Sequence, residues 1–102
     1  MIDERLTDAL ACRVMGWRVA PDRFIKSGRS WIPRWKFQPL AELADAFHLL
    51  DQAAEHYTLT WSGSSFAAEV QIESRRGKAV GEYKARTIAI AVARALRLEV
   101  DE

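Results

Sequence analysis

Between Tyr57 and Ile72 the chain changes character at every step. Tyr57, Leu59 and Trp61 alternate with Thr58, Thr60 and Ser62; beyond Gly63-Ser64, Phe66, Ala68, Val70 and Ile72 alternate with Ala67, Glu69, Gln71 and Glu73. Successive side chains on a strand point to opposite faces, so a period of two on both arms of a glycine turn specifies an antiparallel hairpin. One face belongs to a core and the other is polar. Arg75-Arg76-Gly77-Lys78 then reads as a turn, with Ala79-Val80 as a short edge strand.

The flanking segments carry a different period. Ile2, Leu6, Leu10 and Val14 recur at four-residue steps, which predicts an N-terminal helix, and Gly16 is placed to end it. Residues 18–37 are rich in β-branched and aromatic types and broken by Pro21, Gly28 and Pro33. They predict a first hairpin, Arg23–Ser27 with Ser30–Pro33. Pro39 fits the first position of a second helix with Leu40, Leu43, Ala44, Phe47, Leu50 and Ala54 inward. A last helix over 84–100 turns Ile88, Ala91, Val92, Ala95 and Leu96 inward, with Arg86, Ile90, Arg94 and Arg97 on its opposite, solvated face. The predicted fold class is α+β: an antiparallel sheet built from hairpins and packed with three helices, in the order helix, hairpin, helix, hairpin, helix. At 102 residues this is one domain. Leu10, Phe47, Trp61, Val70, Ile88 and Val92 are expected in its core.

Several function classes find no support. Cys12, His48 and His56 are scattered, with no paired Cys or His at ligand spacing, so no metal or other cofactor is expected. Cys12 falls mid-helix, where a small buried thiol is the usual occupant, and a single cysteine suits a reducing cytosol. Glu69 and Glu73 would lie roughly 13 Å apart along one strand face, too far to share a proton transfer. The Ser-Gly turns lack the lysine of a phosphate loop. These absences point to a protein that is not an enzyme. No stretch of about 18 apolar residues is present and the N-terminus is acidic, so the expected location is the cytoplasm, with no membrane partner.

Met15-Gly16-Trp17, Trp31-Ile32-Pro33 leading into a helix, and Ala89-Ile90 in an alanine-rich last helix together resemble the phage ABA sandwich domain. The likeness spans most of the chain and implies origin in a phage or prophage. It implies no catalytic residues, because these motifs are packing signatures. A sheet covered on both faces needs apolar residues on both. Thr58, Thr60, Glu69, Gln71 and Glu73 therefore predict that one face of the second hairpin is open or only partly covered, and available for self-association.

The strongest chemical signal is the stretch RFIKSGRSWIPRW. Between Arg13 and Lys36 lie seven basic residues and one acid, Asp22, interleaved with Trp17, Phe24, Trp31, Trp35 and Phe37. Guanidinium forks match phosphates and indole faces stack on bases, so these residue types suit nucleotides and nucleic acids. The same residues also describe an amphipathic hairpin with Phe24, Lys26 and Trp31 on one face and Arg23, Ile25 and Ser30 on the other. Exposure of Trp31 or Trp35 separates the two readings. The candidate binding residues are Arg23, Lys26, Arg29, Trp31, Arg34 and Trp35, joined by Arg86 and Arg94 of the last helix. With a net charge of only +1, a basic patch requires segregated charge, with Asp3, Glu4, Asp8 and the second helix negative elsewhere. The expected partner is a host defence complex or an anionic nucleotide in a counter-defence role, as for an anti-CRISPR or a cyclic-nucleotide sponge. A nucleic-acid-binding accessory of phage replication or regulation and a homo-oligomeric structural module are the alternatives.

Overall fold

The computed structural model describes residues 3–98. Ile2 of the expected first stripe and the last two residues of the expected terminal helix lie outside them. Helix α1 spans Asp3–Arg13, followed by strands β1 (Arg18–Val19), β2 (Arg23–Ser27) and β3 (Ser30–Pro33) and a short 3-10 turn, Arg34–Lys36. Helix α2 is Leu43–Ala53, strands β4, β5 and β6 are His56–Trp61, Phe66–Ile72 and Arg75–Gly81, and α3 is Lys84–Ala95. The strands form two antiparallel three-stranded sheets, β1-β2-β3 and β4-β5-β6. The α+β class stands, but β1 adds a strand to the first expected hairpin, and the short edge strand expected at Ala79-Val80 is the longer β6, so the simple helix-hairpin order holds only in part.

The alternation along β5 is real: Phe66, Ala68 and Val70 are buried while Ala67, Glu69 and Gln71 are not. Helix α3 lies on β5 and β6, and α2 packs against α3. Opposed residues share a face, so the helix side of this sheet carries the rows Tyr57-Val70-Gly77, Leu59-Ala68-Ala79 and Trp61-Phe66-Gly81. Under α3 the β6 members of these rows are Gly, Ala and Gly, and the helix approaches closely. A Cβ on Gly77 would stand 2.0 Å from the Ala91 carbonyl oxygen and 2.4 Å from the Ala95 nitrogen. Gly77 is therefore a packing glycine in mid-strand, not a turn glycine. The turn falls at Glu73-Ser74, with Glu73 itself in the left-handed region at φ 56°.

Squeezed between the sheet and α2, helix α3 is buried nearly all round, Thr87, Ile90 and Ala93 included. That overturns the expected solvated face: Arg86 and Arg94 interrupt an otherwise buried helix, and Ile90 is core. In α2 the buried residues are Ala46, Leu49 and Leu50, whereas Leu43 and Ala44 are exposed and Phe47 is half-buried. The helix starts later than Pro39, which is buried in the preceding turn. There the Glu42 N–H donates to the Gln38 carbonyl (2.7 Å) and the Gln38 N–H to Asp45 Oδ2 (2.9 Å). Two further expectations fail. Trp61 is exposed because β4 is the sheet edge, with α3 resting on β5 and β6, and Cys12 faces solvent.

The first sheet closes against α1 through aromatic rings. Gly16, at φ 71°, ends the turn after α1, and the Trp17 N–H reaches back to the Ala11 carbonyl (3.1 Å). Trp17 then meets Phe24 and Phe37 with ring centroids 5.1–6.0 Å apart. Phe24 and Phe37 join Leu6 and Leu10 of α1 and the α2–α3 residues in one continuous core. No described helix is long and apolar enough to cross a membrane.

Candidate binding surface

The register of the first sheet decides which side chains look outward. Arg18 opposes Ile25, Ile25 opposes Trp31, and Arg23 opposes Pro33, while Val19, Phe24 and Ile32 share the other, core-facing row. A register irregularity between Ile25 and Ser27 follows. Trp31 thus lies on the same face as Arg23 and Ile25, not opposite them as the simple hairpin alternation implied. The outward face presents Arg18, Arg23 and Trp31 in two adjacent rows.

Each exposed ring here carries a cation. The Arg23 guanidinium lies 4.2 Å from the centre of Trp31, which is 49% exposed. Lys36 Nζ lies 5.6 Å from Trp35, which projects from the 3-10 turn and is 67% exposed. Lys26 sits 5.4 Å from Trp17 on the other side of the sheet, and Arg29 is exposed in the hairpin turn. Arg23 also donates Nε and Nη2 to the two carboxylate oxygens of Asp22, at 3.1 and 2.8 Å. That hydrogen bonding holds the Asp22 carboxyl below the usual carboxylate range and raises the Arg23 guanidinium. The fork holds Arg23 over the indole and partly neutralises it.

Arg34 does something else. Its side chain is 20% exposed, and Nη1 donates to the Ala20 carbonyl at 3.0 Å. Nη2 bonds Asp8 and stands 3.4 Å from Glu4, while the guanidinium carbon lies 4.9 Å from the Phe24 ring. Arg34 is a clamp between the first sheet and α1, and its expected exposure does not hold. Acid on α1 is consequently not segregated from base: Asp3 accepts from Arg86 Nη1 at 2.9 Å in the same way.

Arg86 and Arg94 lie apart from the hairpin. They flank a cavity of about 390 Å³ between β6 and α3, lined also by Glu82, Tyr83, Thr87 and Ile90. Arg94 Nη1 donates to the Lys78 carbonyl at 2.7 Å. Arg76 and Lys78, expected in a basic turn, stand on the open face of β6 at 3.5 and 3.6 Å from Glu69. Among the described residues no three His, Cys, Asp or Glu side chains gather as a metal-holding group. The structure thus puts Arg23 and Trp31 on the outward face of the first sheet, Arg29 in its turn and Trp35 on the following 3-10 turn, leaves Lys26 on the opposite side beside Trp17, assigns Arg34 to the foundation, and puts Arg86 and Arg94 elsewhere. Sequence reasoning left Arg18 and Lys36 outside the candidate site. The two-residue strand carrying Arg18 is too short to show a period.

No family model matches the sequence, and no curated protein matches it. In fold, the chain is similar to a phage protein from Bacillus cereus ATCC 14579 known from a crystal structure. The TM-score is 0.80 at 14% sequence identity, over 99% of this chain and 93% of that one. The similarity is one of fold, over nearly all of both chains.

Proposed function

We propose that this chain is a phage- or prophage-type binding protein, without chemistry of its own, that docks on an anionic macromolecule through the outer face of the first sheet. The observation that carries this reading is the pair of wet indoles, Trp31 and Trp35, each beside a cation. Burial of an indole is strongly favourable, and both the sheet and the 3-10 turn sit next to a core that accepts Trp17. Two tryptophans left outside it are suited to anchoring a partner, where indole and guanidinium side chains dominate binding energy. A counter-defence role, blocking a nucleic-acid-handling defence complex by docking on an acidic patch of it as an anti-CRISPR does, suits so small a basic-aromatic patch. The phage origin rests on the motif resemblance to the phage ABA sandwich domain and on the fold shared with a phage protein.

A cyclic-nucleotide sponge is less well supported, because small ligands prefer concave sites. The cavities of about 390, 290 and 570 Å³ are lined by other residues than Trp31, Trp35, Lys26 and Arg29. A nucleic-acid-binding accessory role is the second reading, favoured by indole faces on which bases stack. Thermal-shift and tryptophan-quenching measurements with short DNA, RNA and cyclic dinucleotides test both readings. Quenching by single-stranded nucleic acid, lost on adding salt, selects the second. No response to nucleic acid, with co-purification of a defence complex that the Arg18→Glu, Arg29→Glu chain no longer retains, supports the first. Undiminished binding of every partner by that folded variant removes the first sheet from the mechanism.

A further inference from the structure

We infer that two copies of this chain pair through β4, strand against antiparallel strand, about a twofold axis at Leu59. Strand β4 is the outer strand of its sheet and is bonded to β5 alone. It pairs from His56 to Trp61 with no irregularity in register. Its sequence, HYTLTW, has no proline, lysine or arginine. Natural edge strands are usually blunted by charge, proline or a bulge, because their unpaired N–H and C=O groups recruit other strands. Strand β6, at the opposite edge, is protected in that way: it carries Arg75, Arg76 and Lys78, and Arg94 occupies the Lys78 carbonyl.

The side chains of β4 select a second copy as the occupant and also select the register. Tyr57 and Trp61 are 46% and 51% exposed on the helix side, where the strand overhangs α3. A twofold axis normal to the sheet maps the helix side onto itself, so Tyr57, Leu59 and Trp61 must oppose one another and not the threonines. Centring on Thr58 or Thr60 leaves an aromatic ring facing Glu55 or Gly63. Centring on Leu59 opposes Tyr57 to Trp61 twice, Leu59 to itself, and Thr58 to Thr60 on the outer side. Aromatic pairs and threonine pairs are both favourable cross-strand neighbours. Charge agrees as well. Glu55, whose N–H extends the pairing to the Gln71 carbonyl (2.9 Å), comes diagonal to the other copy's Trp61, over which Lys84 lies at 5.2 Å. Two symmetric Glu55–Lys84 attractions flank the axis. A six-residue edge is a small interface, which places the dimer among weak, concentration-dependent assemblies.

Sedimentation velocity over a micromolar concentration series tests the proposal. The expected result is reversible formation of a species with twice the chain mass, and a chain that stays monomeric throughout overturns it, leaving the edge to some other protein's strand. Tyr57→Lys with Trp61→Lys puts like charges opposite each other at both pairs and abolishes the dimer. Leu59→Lys alone, which sets two like charges against each other on the axis at a part-buried site, serves if the double variant does not fold. A dimer that persists in either folded variant also overturns the proposal. For the register, single cysteines are placed in a Cys12→Ser background, since Cys12 is itself exposed. Leu59→Cys forms the disulfide-linked dimer at least about tenfold faster than Thr58→Cys, because position 59 meets itself at about 5 Å and position 58 does not. Equal rates reject the Leu59 axis.

Discussion

Beneath α3 the strand β6 offers Gly77, Ala79 and Gly81, whereas the first sheet meets the rest of the molecule through Trp17, Phe24 and Phe37. The contrast is between two ways of burying a sheet. In the second, nearly flush surfaces let a helix backbone come within contact distance of a strand backbone, and the helix itself is buried on all sides. In the first, large rings fill the gap between a small twisted sheet and α1, and an arginine, Arg34, closes the seam. The close glycine contact of the second sheet tolerates no added atoms. The ring-filled first sheet leaves an outer face free to carry charge and an exposed indole. A small domain can thus bury one sheet closely and leave a charged, aromatic face exposed on the other.

Substitutions break this comparison in a definite order. Val70 is fully buried in the centre of β5, and Val70→Asp puts an unpaired charge there. The expected outcome is loss of cooperative folding by circular dichroism; a soluble variant with a sharp melt would show that β5 is not the centre of the core. Next comes Gly77→Ala, whose methyl group collides with the backbone of α3. Overpacking of this kind costs about 3 kcal/mol, read from urea denaturation, against less than about 1 kcal/mol if helix and sheet can separate.

Arg34→Ala removes the clamp of the first sheet. Hydrogen bonds from a charged group at a part-buried site predict a loss of about 1–2 kcal/mol, with a larger rise in amide exchange in β2 and β3 than in β5. Uniform exchange changes would show that the two sheets unfold as one unit. At the outer face, Arg18→Glu with Arg29→Glu, both exposed, should alter stability by only about 0.5 kcal/mol while greatly weakening the binding of an anionic partner. Arg34 does not belong in that test, since its replacement loosens the surface as well as discharging it.

The smallest effect is expected from acid. Asp22 is held below the usual carboxylate range by its hydrogen bonds from Arg23, so its contribution is intact at and above ordinary carboxylate pKa values. It is lost as pH falls through the lowered value. Carboxyl-carbon NMR titration should place the Asp22 midpoint below those of the other aspartates, and Asp22→Asn should abolish any Trp31 fluorescence change over the same range. Asp22 lies largely in solvent and Arg23 partly so, and the global melting temperature should barely respond.

Much of this was written in local periods. The alternation of Phe66, Ala68 and Val70, the stripe through Leu6 and Leu10, and the turn at Gly63-Ser64 follow from backbone geometry that any short segment expresses, and they established the α+β class. The interleaving of Arg23, Lys26, Trp31 and Trp35 likewise marked the candidate surface from composition alone. Relations between distant segments were not written there. Gly77 looks like a turn residue until Ala91 and Ala95 of α3 are seen against it. Trp61 looks like core because its period matches Leu59, and only its place on an edge strand beyond the helix leaves it wet. Arg34 is indistinguishable from Arg29 in sequence, yet Asp8, Glu4 and Ala20 make one a clamp while the other stays in solvent. Periodicity tells which face a residue occupies; what covers that face depends on packing between elements far apart in the chain, and that the tertiary structure alone decided.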